Sequence, residues 1–237
     1  MRPDINKLKT ILYNYLQLVP EVKTYCERCL QTRRWDGNII LMIIDASFNS
    51  IGLNYFQSVV PKVDLFRRTY IMPNRISSLE DLANISYQEF EIIWRNKRSW
   101  SLAKSVATYF LQIKNEEKLD DRASFRYWAK NSVLIDWTKD PIGIINGVGI
   151  NTYQYLRMMG GIDTVMPDKI VKRIINHILS DSGFEIPHDD LRFIYLVEEI
   201  GTQLGYKPIE LCWMTWLIQS ESNLSRMAKY SNILAKI

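Results

Sequence analysis

The chain has 237 residues, of which 30 are Lys or Arg and 26 are Asp or Glu, and 47% of its residues are hydrophobic. These proportions are typical of a globular protein and exclude a disordered tail, a collagen-like fibre and a small disulfide-held domain. The longest apolar stretch of the first half, from Ile39 to Ile44, is far shorter than the roughly 18–20 residues that cross a bilayer, so we expect no membrane span. The first residues lack the pattern of an export signal, and we therefore expect an intracellular protein.

Apolar residues recur at helical spacing and strand-like alternation is scarce, which predicts an all-α chain of a dozen or more short helices. In chain order, the pattern predicts helices over residues 5–16, 20–30, 39–46 and 49–61, a short one after a capping box at Ser77-Ser78, and a long amphipathic one around 100–111. Asp36 or Asn38 is expected to cap the very apolar third helix. Later segments are expected to begin at Pro141, Thr152, Pro167-Asp168, Pro187-His188-Asp189 and Pro208. The part from Asp189 to Ile237 is expected to form two or three helices.

The net charge of +4 allows a nucleic-acid partner without establishing one. The basic residues are clustered, and the interpretation we favour for any single cluster is a solvated helix surface. The clusters are Arg33-Arg34, Arg67-Arg68, Arg95/Lys97/Arg98 and Lys169/Lys172/Arg173.

The three cysteines predict no metal centre. Cys26 and Cys29 form a C-x-x-C pair, but only Cys212 lies elsewhere, so a four-cysteine zinc or iron–sulfur site is not available within one chain. Two buried thiols one helical turn apart, or an optional disulfide, remain as interpretations.

The most informative segment is the glycine pair around Val148. An apolar helix containing Ile145 is expected to meet Gly147-Val148-Gly149, after which Thr152 opens a second helix. Two glycines permit a tight reversal and leave backbone N–H groups uncovered at a helix N-terminus, where they suit a phosphate oxygen. An ordinary corner between two helices, with no ligand, is the alternative.

This segment resembles the helix-hairpin-helix DNA glycosylases, a family that includes endonuclease III-type, adenine and alkyl-base glycosylases. The resemblance rests on the hairpin pattern, on a glycine-containing loop and on an aspartate that heads the next helix. In this sequence those residues are Ile145, Gly147, Val148, Gly149, Thr152, Gly160-Gly161, Asp168, Val171, Lys172 and Arg173. The apolar run at residues 39–50 is similar to the helix and turn that enter the DNA stack in the family.

The resemblance implies a two-lobed all-α fold with the hairpin at the lobe junction. One lobe would span residues 36–150, and the second would combine residues 1–35 with 151–237 and carry the aspartate. The implied partner is double-stranded DNA with a damaged or mismatched base, and neither a membrane nor an obligate protein partner is expected. The hairpin would hold a K+ or Na+ ion at Ile145 and Val148, and the endonuclease III-type iron–sulfur cluster would be absent. The residues expected to contact the DNA backbone are Gly147, Val148, Gly149, Asn151, Thr152, Lys172 and Arg173.

Asp168 is the candidate catalytic residue. Breaking an N-glycosidic bond builds positive charge on the deoxyribose, and a carboxylate stabilises that charge and activates a water molecule. A helix N-terminus keeps such a carboxylate ionised. The alternative is that Asp168 only caps a structural helix.

Asn151 occupies the position where bifunctional members of the family carry a lysine nucleophile, two residues after the second hairpin glycine. An amide cannot form a Schiff base, so the sequence predicts a monofunctional enzyme without lyase activity.

The residues of the base pocket are predicted with less support. Asp45 is a candidate second pocket carboxylate, with a helix-end residue that reaches solvent as the alternative. Phe48 or Asn49 is a candidate for filling the gap left by a flipped base, and Tyr153 for stacking on that base, although aromatic residues at helical spacing usually pack in the core. Trp213 and Trp216 are interpreted as packing residues.

The function that the sequence predicts is therefore DNA base-excision repair by a monofunctional N-glycosylase. Two alternatives stay open: a non-catalytic helix-hairpin-helix module that recognises DNA or its damage, and a helical protein–protein adaptor in which the glycines form a simple turn.

Overall fold

The computed structural model of the protein describes residues 3–221 and residue 237. Within this part of the chain the structure is all-α, as the sequence predicts, and no β-strand is present. The α-helices are α1 Ile5–Gln17, α2 Val22–Leu30, α3 Ile39–Asn49, α4 Val60–Phe66, α5 Leu79–Asn84, α6 Tyr87–Phe90, α7 Lys97–Glu116, α8 Asp121–Asn131, α9 Ile150–Met159, α10 Lys169–Asp181, α11 Asp190–Leu204 and α12 Pro208–Glu221. Among the helices of the described residues, none has the length and apolarity needed to span a bilayer. A third helix after α12 would lie outside the described residues.

Local signals in the sequence set several helix starts. Asn38 caps α3 by accepting a hydrogen bond from the backbone N–H of Leu41 at 3.0 Å. Ser78 opens α5 through a capping box whose acid is Asp81. Asp189 caps α11 by accepting from the backbone N–H of Arg192, at the helix start that the sequence predicts. In each case a short polar side chain replaces the acceptor that the first amides of a helix lack.

Three predicted helix boundaries are wrong. The chain turns after α3 through Gly52, whose φ is +74°, and becomes helical again only at Tyr55, not at residue 49. The segment after Pro141 forms turns instead of a regular α-helix, and α9 begins at Ile150 instead of Thr152. The physical reason is that positive-φ glycines and side-chain caps, and not apolar spacing, decide where these helices begin.

Helix α9 lies at the centre of the packing. Its residues from Thr152 to Met159 are all buried, and it contacts α2, α3 and α8. Helices α3, α5, α7 and α8 pack on one another, and α1, α10, α11 and α2 each pack against α12 or its neighbours. The division into two lobes near residues 36 and 150 remains a prediction.

Candidate functional site

Asp140 connects the glycine hairpin to α8 and α9 through hydrogen bonds. One carboxylate oxygen of Asp140 accepts from the backbone N–H of Ile142 at 2.8 Å and from Nε1 of Trp128 at 3.0 Å. The other oxygen accepts from the hydroxyl of Tyr153 at 3.1 Å. The side chain of Tyr153 is fully buried in the free protein, which argues against its predicted role in stacking on a base.

The hairpin exposes the N-terminus of α9. Gly147 turns the chain at a φ of +102°, and Gly149 follows as the N-cap of α9, where no side chain accepts from the helix amides. Gly149 and Asn151 are exposed, whereas Thr152 is buried. The first amides of a helix have no intrahelical acceptor and carry the positive end of the helix dipole, so this surface attracts an anion.

The side chain of Arg98, near the start of α7, lies beside this surface. Arg95, Lys97 and Arg98 are exposed, and a Cβ added at Gly147 would lie 3.1 Å from Nε of Arg98. The structure therefore brings Arg98, a member of one of the predicted basic clusters, against the hairpin. Lys97 lines a groove of about 710 Å³ along α7, which also reaches the hairpin residue Ile145.

Asp168 is held at the N-terminus of α10 by three hydrogen bonds. Its Oδ1 accepts from the backbone N–H groups of Ile170 and Val171, each at 2.8 Å. Its Oδ2 accepts from Nε1 of Trp216 at 2.7 Å. Burial raises the pKa of the carboxyl, while these hydrogen bonds and the nearby charge of Lys172 act in the opposite direction. The result is a half-buried, fixed carboxylate.

The basic side chains that follow Asp168 in α10 differ in whether they are paired within the protein. The ammonium group of Lys172 lies 2.7 Å from a carboxylate oxygen of Asp190, so its charge is already paired within the protein. This pairing argues against its predicted contact with a phosphate. Lys169 and Arg173 are exposed on the same helix.

A layer of aromatic rings surrounds Trp216. The ring centroid of Trp216 lies 5.1 Å from that of Tyr55, 5.9 Å from that of Tyr155 and 5.7 Å from that of Trp213. Trp216 was predicted to be a packing residue, and its hydrogen bond to Asp168 is a contact that no local pattern in the sequence indicates.

A buried ion pair is hydrogen-bonded to the two tyrosines of this layer. One guanidinium nitrogen of Arg34 lies 3.0 Å from Oδ2 of Asp45, and both side chains are 0% exposed. The same nitrogen donates to the hydroxyls of Tyr55 and Tyr155 at 2.6 and 2.7 Å. Both hydroxyls in turn donate to Oδ2 of Asp45, at 2.9 and 3.1 Å. Asp45 is thus not a helix-end residue that reaches solvent, and Arg34 does not belong to a solvated basic surface.

The segment that carries Arg34 adopts an uncommon backbone to reach this position. Trp35 and Asp36 both have left-handed φ angles, of 52° and 58°, which cost about 1–2 kcal/mol per residue. The turn places Nε1 of Trp35 2.8 Å from Oδ2 of Asp45. Burial works against the charge of Arg34, but the neighbouring tyrosines, Cys29 and Asp45 raise its pKa well above the ordinary value, so it stays charged.

The two residues predicted to fill the gap left by a flipped base differ in exposure. Phe48 is fully buried, and its ring stacks on Trp94 with centroids 4.5 Å apart and meets Trp100 edge-on. Asn49 is half-buried at the end of α3. Leu53, in the turn after α3, is a large apolar side chain that is 45% exposed. Gly52, which precedes it, was the signal in the sequence for such a turn.

Cys26, Cys29 and Cys212 are buried free thiols, which agrees with the first interpretation of the C-x-x-C pair. Burial raises the pKa of all three thiols, so they are held in the neutral form. Among the described residues, no group of three or more His, Cys, Asp or Glu side chains is arranged to hold a metal ion.

The fold is that of a solved DNA repair enzyme. The chain is similar to the 8-oxoguanine DNA glycosylase of Thermotoga maritima, with a TM-score of 0.52 over 89% of this chain and 96% of that one. The two sequences are 15% identical, so the likeness establishes the fold alone. No model of a known protein family matches the sequence, and no curated protein matches it.

Proposed function

We propose that the protein is a monofunctional DNA N-glycosylase of the helix-hairpin-helix type, which hydrolyses the bond between a flipped damaged or mismatched base and its deoxyribose. The observation that carries the proposal is the carboxylate of Asp168. It lies at a helix N-terminus in the fold of a DNA glycosylase, half-buried and held by two backbone amides and an indole. Such an enzyme acts where the cell keeps its DNA.

The chemistry follows from that arrangement. As the bond to the base breaks, the base leaves with the bonding electron pair and positive charge develops on the sugar. The ionised Asp168 stabilises this charge and takes a proton from the water that attacks the sugar. That proton then passes to the departed base anion, so Asp168 is ionised again and the products are the free base and an abasic site. Its three hydrogen bonds pre-set the orientation of the carboxylate, so little reorganisation is needed during the reaction.

The DNA backbone would be held by the α9 N-terminus together with Arg95, Lys97, Arg98 and Arg173. Gly149 lets a phosphate approach the first amides of α9, and exposed Asn151 lies beside that position. The guanidinium of Arg98, packed on Gly147, adds a positive charge at the same place. Leu53 is our candidate for the gap that a flipped nucleotide leaves, in place of Phe48.

We further propose a K+ or Na+ ion at the carbonyl groups of Ile145 and Val148. The carbonyl of Ile145 accepts one hydrogen bond, from the backbone N–H of Val148 at 3.0 Å, which leaves it a second lone pair. Exchange of K+ for tetramethylammonium at constant ionic strength is expected to weaken duplex binding by the wild type. Equal binding in both salts would refute the ion site.

The assignment as monofunctional rests on Asn151. Because its amide cannot form an imine, borohydride is expected to trap no covalent complex between the wild-type protein and substrate DNA. A trapped complex would show that another lysine, such as the exposed Lys169, acts as a nucleophile.

A panel of duplexes identifies which base the protein removes. Wild type, Asp168→Asn and the matched control Asp189→Asn, which changes the cap of the neighbouring helix α11, are incubated with duplexes that each contain one altered or mismatched base. 8-Oxoguanine is included because of the fold likeness. Alkali-dependent cleavage by wild type and control, but not by Asp168→Asn, is the expected result. Salt-sensitive binding without cleavage of any duplex would favour a non-catalytic recognition module, and absence of binding would favour a protein–protein adaptor.

A further inference from the structure

The strongest contact between distant segments at the candidate site joins Trp216 to Asp168. These residues are 48 positions apart, and the indole nitrogen lies 2.7 Å from Oδ2 of the carboxylate. The indole is 7% exposed, so water competes little for this hydrogen bond. A hydrogen bond to an ionised acceptor is stronger than one between neutral groups.

The contact reduces the number of lone-pair positions on Asp168 that remain open to a substrate. An ionised carboxylate has about four lone-pair positions. Two backbone amides occupy Oδ1, and the indole occupies one position on Oδ2. Counted over the described residues, one lone pair on Oδ2 remains, and the other three contacts set its direction.

The indole is itself fixed by the aromatic layer and the buried ion pair. Tyr55 and Tyr155 both contact the ring of Trp216, and their hydroxyls are tied to the charged pair of Arg34 and Asp45. The polar cluster is therefore the support that prevents the indole from rotating away from Asp168.

We propose that Trp216 is a positioning residue for Asp168, which keeps that carboxylate ionised and directs its one free lone pair at the sugar and the attacking water. This inference rests on the proposed function. Trp216 acts through Asp168, and it needs no contact of its own with the reacting atoms.

Other charged and titratable groups also face the carboxylate. Lys172, on the same helix, favours its ionised form, and Lys172 is itself paired with Asp190 from α11. From α12, the neutral thiol of Cys212 lies near enough for the charge of Asp168 to raise its pKa. Trp216→Phe removes none of these groups, so its effect on the titration of Asp168 reports the replacement of the indole.

The first test uses the free protein and needs no substrate. The chain has seven tryptophans, so a ¹⁵N-labelled sample gives at most seven indole N–H signals, and the one lost in Trp216→Phe belongs to Trp216. This signal is expected to move with pH as Asp168 titrates, and to be insensitive to pH in the same range in Asp168→Asn. A Trp216 signal that does not titrate in the wild type would overturn the inference.

The second test measures single-turnover base release against pH for wild type, Trp216→Phe and Trp94→Phe. Trp94 is the matched control because it is a buried tryptophan whose ring stacks on Phe48, outside the aromatic layer around Trp216. Loss of the indole hydrogen bond is expected to move the acid limb of the Trp216→Phe profile up by about one pH unit, with the control unchanged. Profiles of the same midpoint for all three proteins would overturn the positioning role while the proposed function stands. A titrating indole signal with no base release from any duplex would instead refute the proposed function and, with it, the catalytic role of the contact.

Discussion

Asp45→Asn is expected to destabilise the protein severely. The substitution keeps the size of the side chain but removes the negative charge beside Arg34, and both residues are 0% exposed. Removing one partner of a buried ion pair leaves an uncompensated charge, which costs about 3–5 kcal/mol. In a chain of this length that loss lowers the melting temperature by roughly 6–20 °C.

The assay is urea unfolding followed by circular dichroism, with thermal unfolding as a second readout. Asp136→Asn is the matched control, since Asp136 forms an exposed ion pair with Lys139 at 2.8 Å and is expected to cost less than about 1 kcal/mol. A double variant, Arg34→Met with Asp45→Leu, is expected to lose far less than the sum of its single variants, because no charge remains buried. A loss for Asp45→Asn as small as that of Asp136→Asn, or strict additivity in the double variant, would refute this reasoning.

Three further predictions concern the carboxylate and the hairpin. Burial raises the pKa of Asp168 in the folded chain, so the stability that the protonated form contributes is lost as the pH rises through the folded pKa. The amide in Asp168→Asn does not titrate, so the urea midpoint of this variant is expected to rise relative to that of wild type over this pH range. A difference between the two midpoints that is independent of pH would contradict this prediction. Gly147→Ala is expected to cost about 1–2 kcal/mol of folding stability, because position 147 has a φ of +102°. Gly149→Ala has nothing within 4 Å of the added Cβ, so this variant is expected to fold normally but to bind duplex DNA more weakly. Equal stability of the two variants in urea would argue against this hairpin geometry. Arg98→Gln is expected to reduce the slope of log affinity against log salt concentration by about one, while the slope of Lys139→Gln stays at the wild-type value, as fluorescence anisotropy would measure.

Much of the local structure could be predicted because its causes lie within a few residues. Asn38 and Asp189 cap helices through amides three positions away, and these contacts require only the adjacent chain. Asp168 at a helix start was predictable for the same reason, together with the nearby glycines. Where prediction of helix starts was wrong, as at Ile150, a glycine cap took the place of the expected side chain.

The sequence by itself thus determined most of the helices, several of their caps and the positions of the hairpin and of Asp168, since periodicity and capping are short-range effects. Only the tertiary structure decided the environment of those positions. Arg34 reaches Tyr155 across 121 positions, and Trp216 reaches Asp168 across 48, through packing that no spacing in the sequence encodes. Whether a charged side chain is solvated or buried, and whether a tryptophan packs or donates a hydrogen bond, depends on which distant surfaces meet in the folded chain.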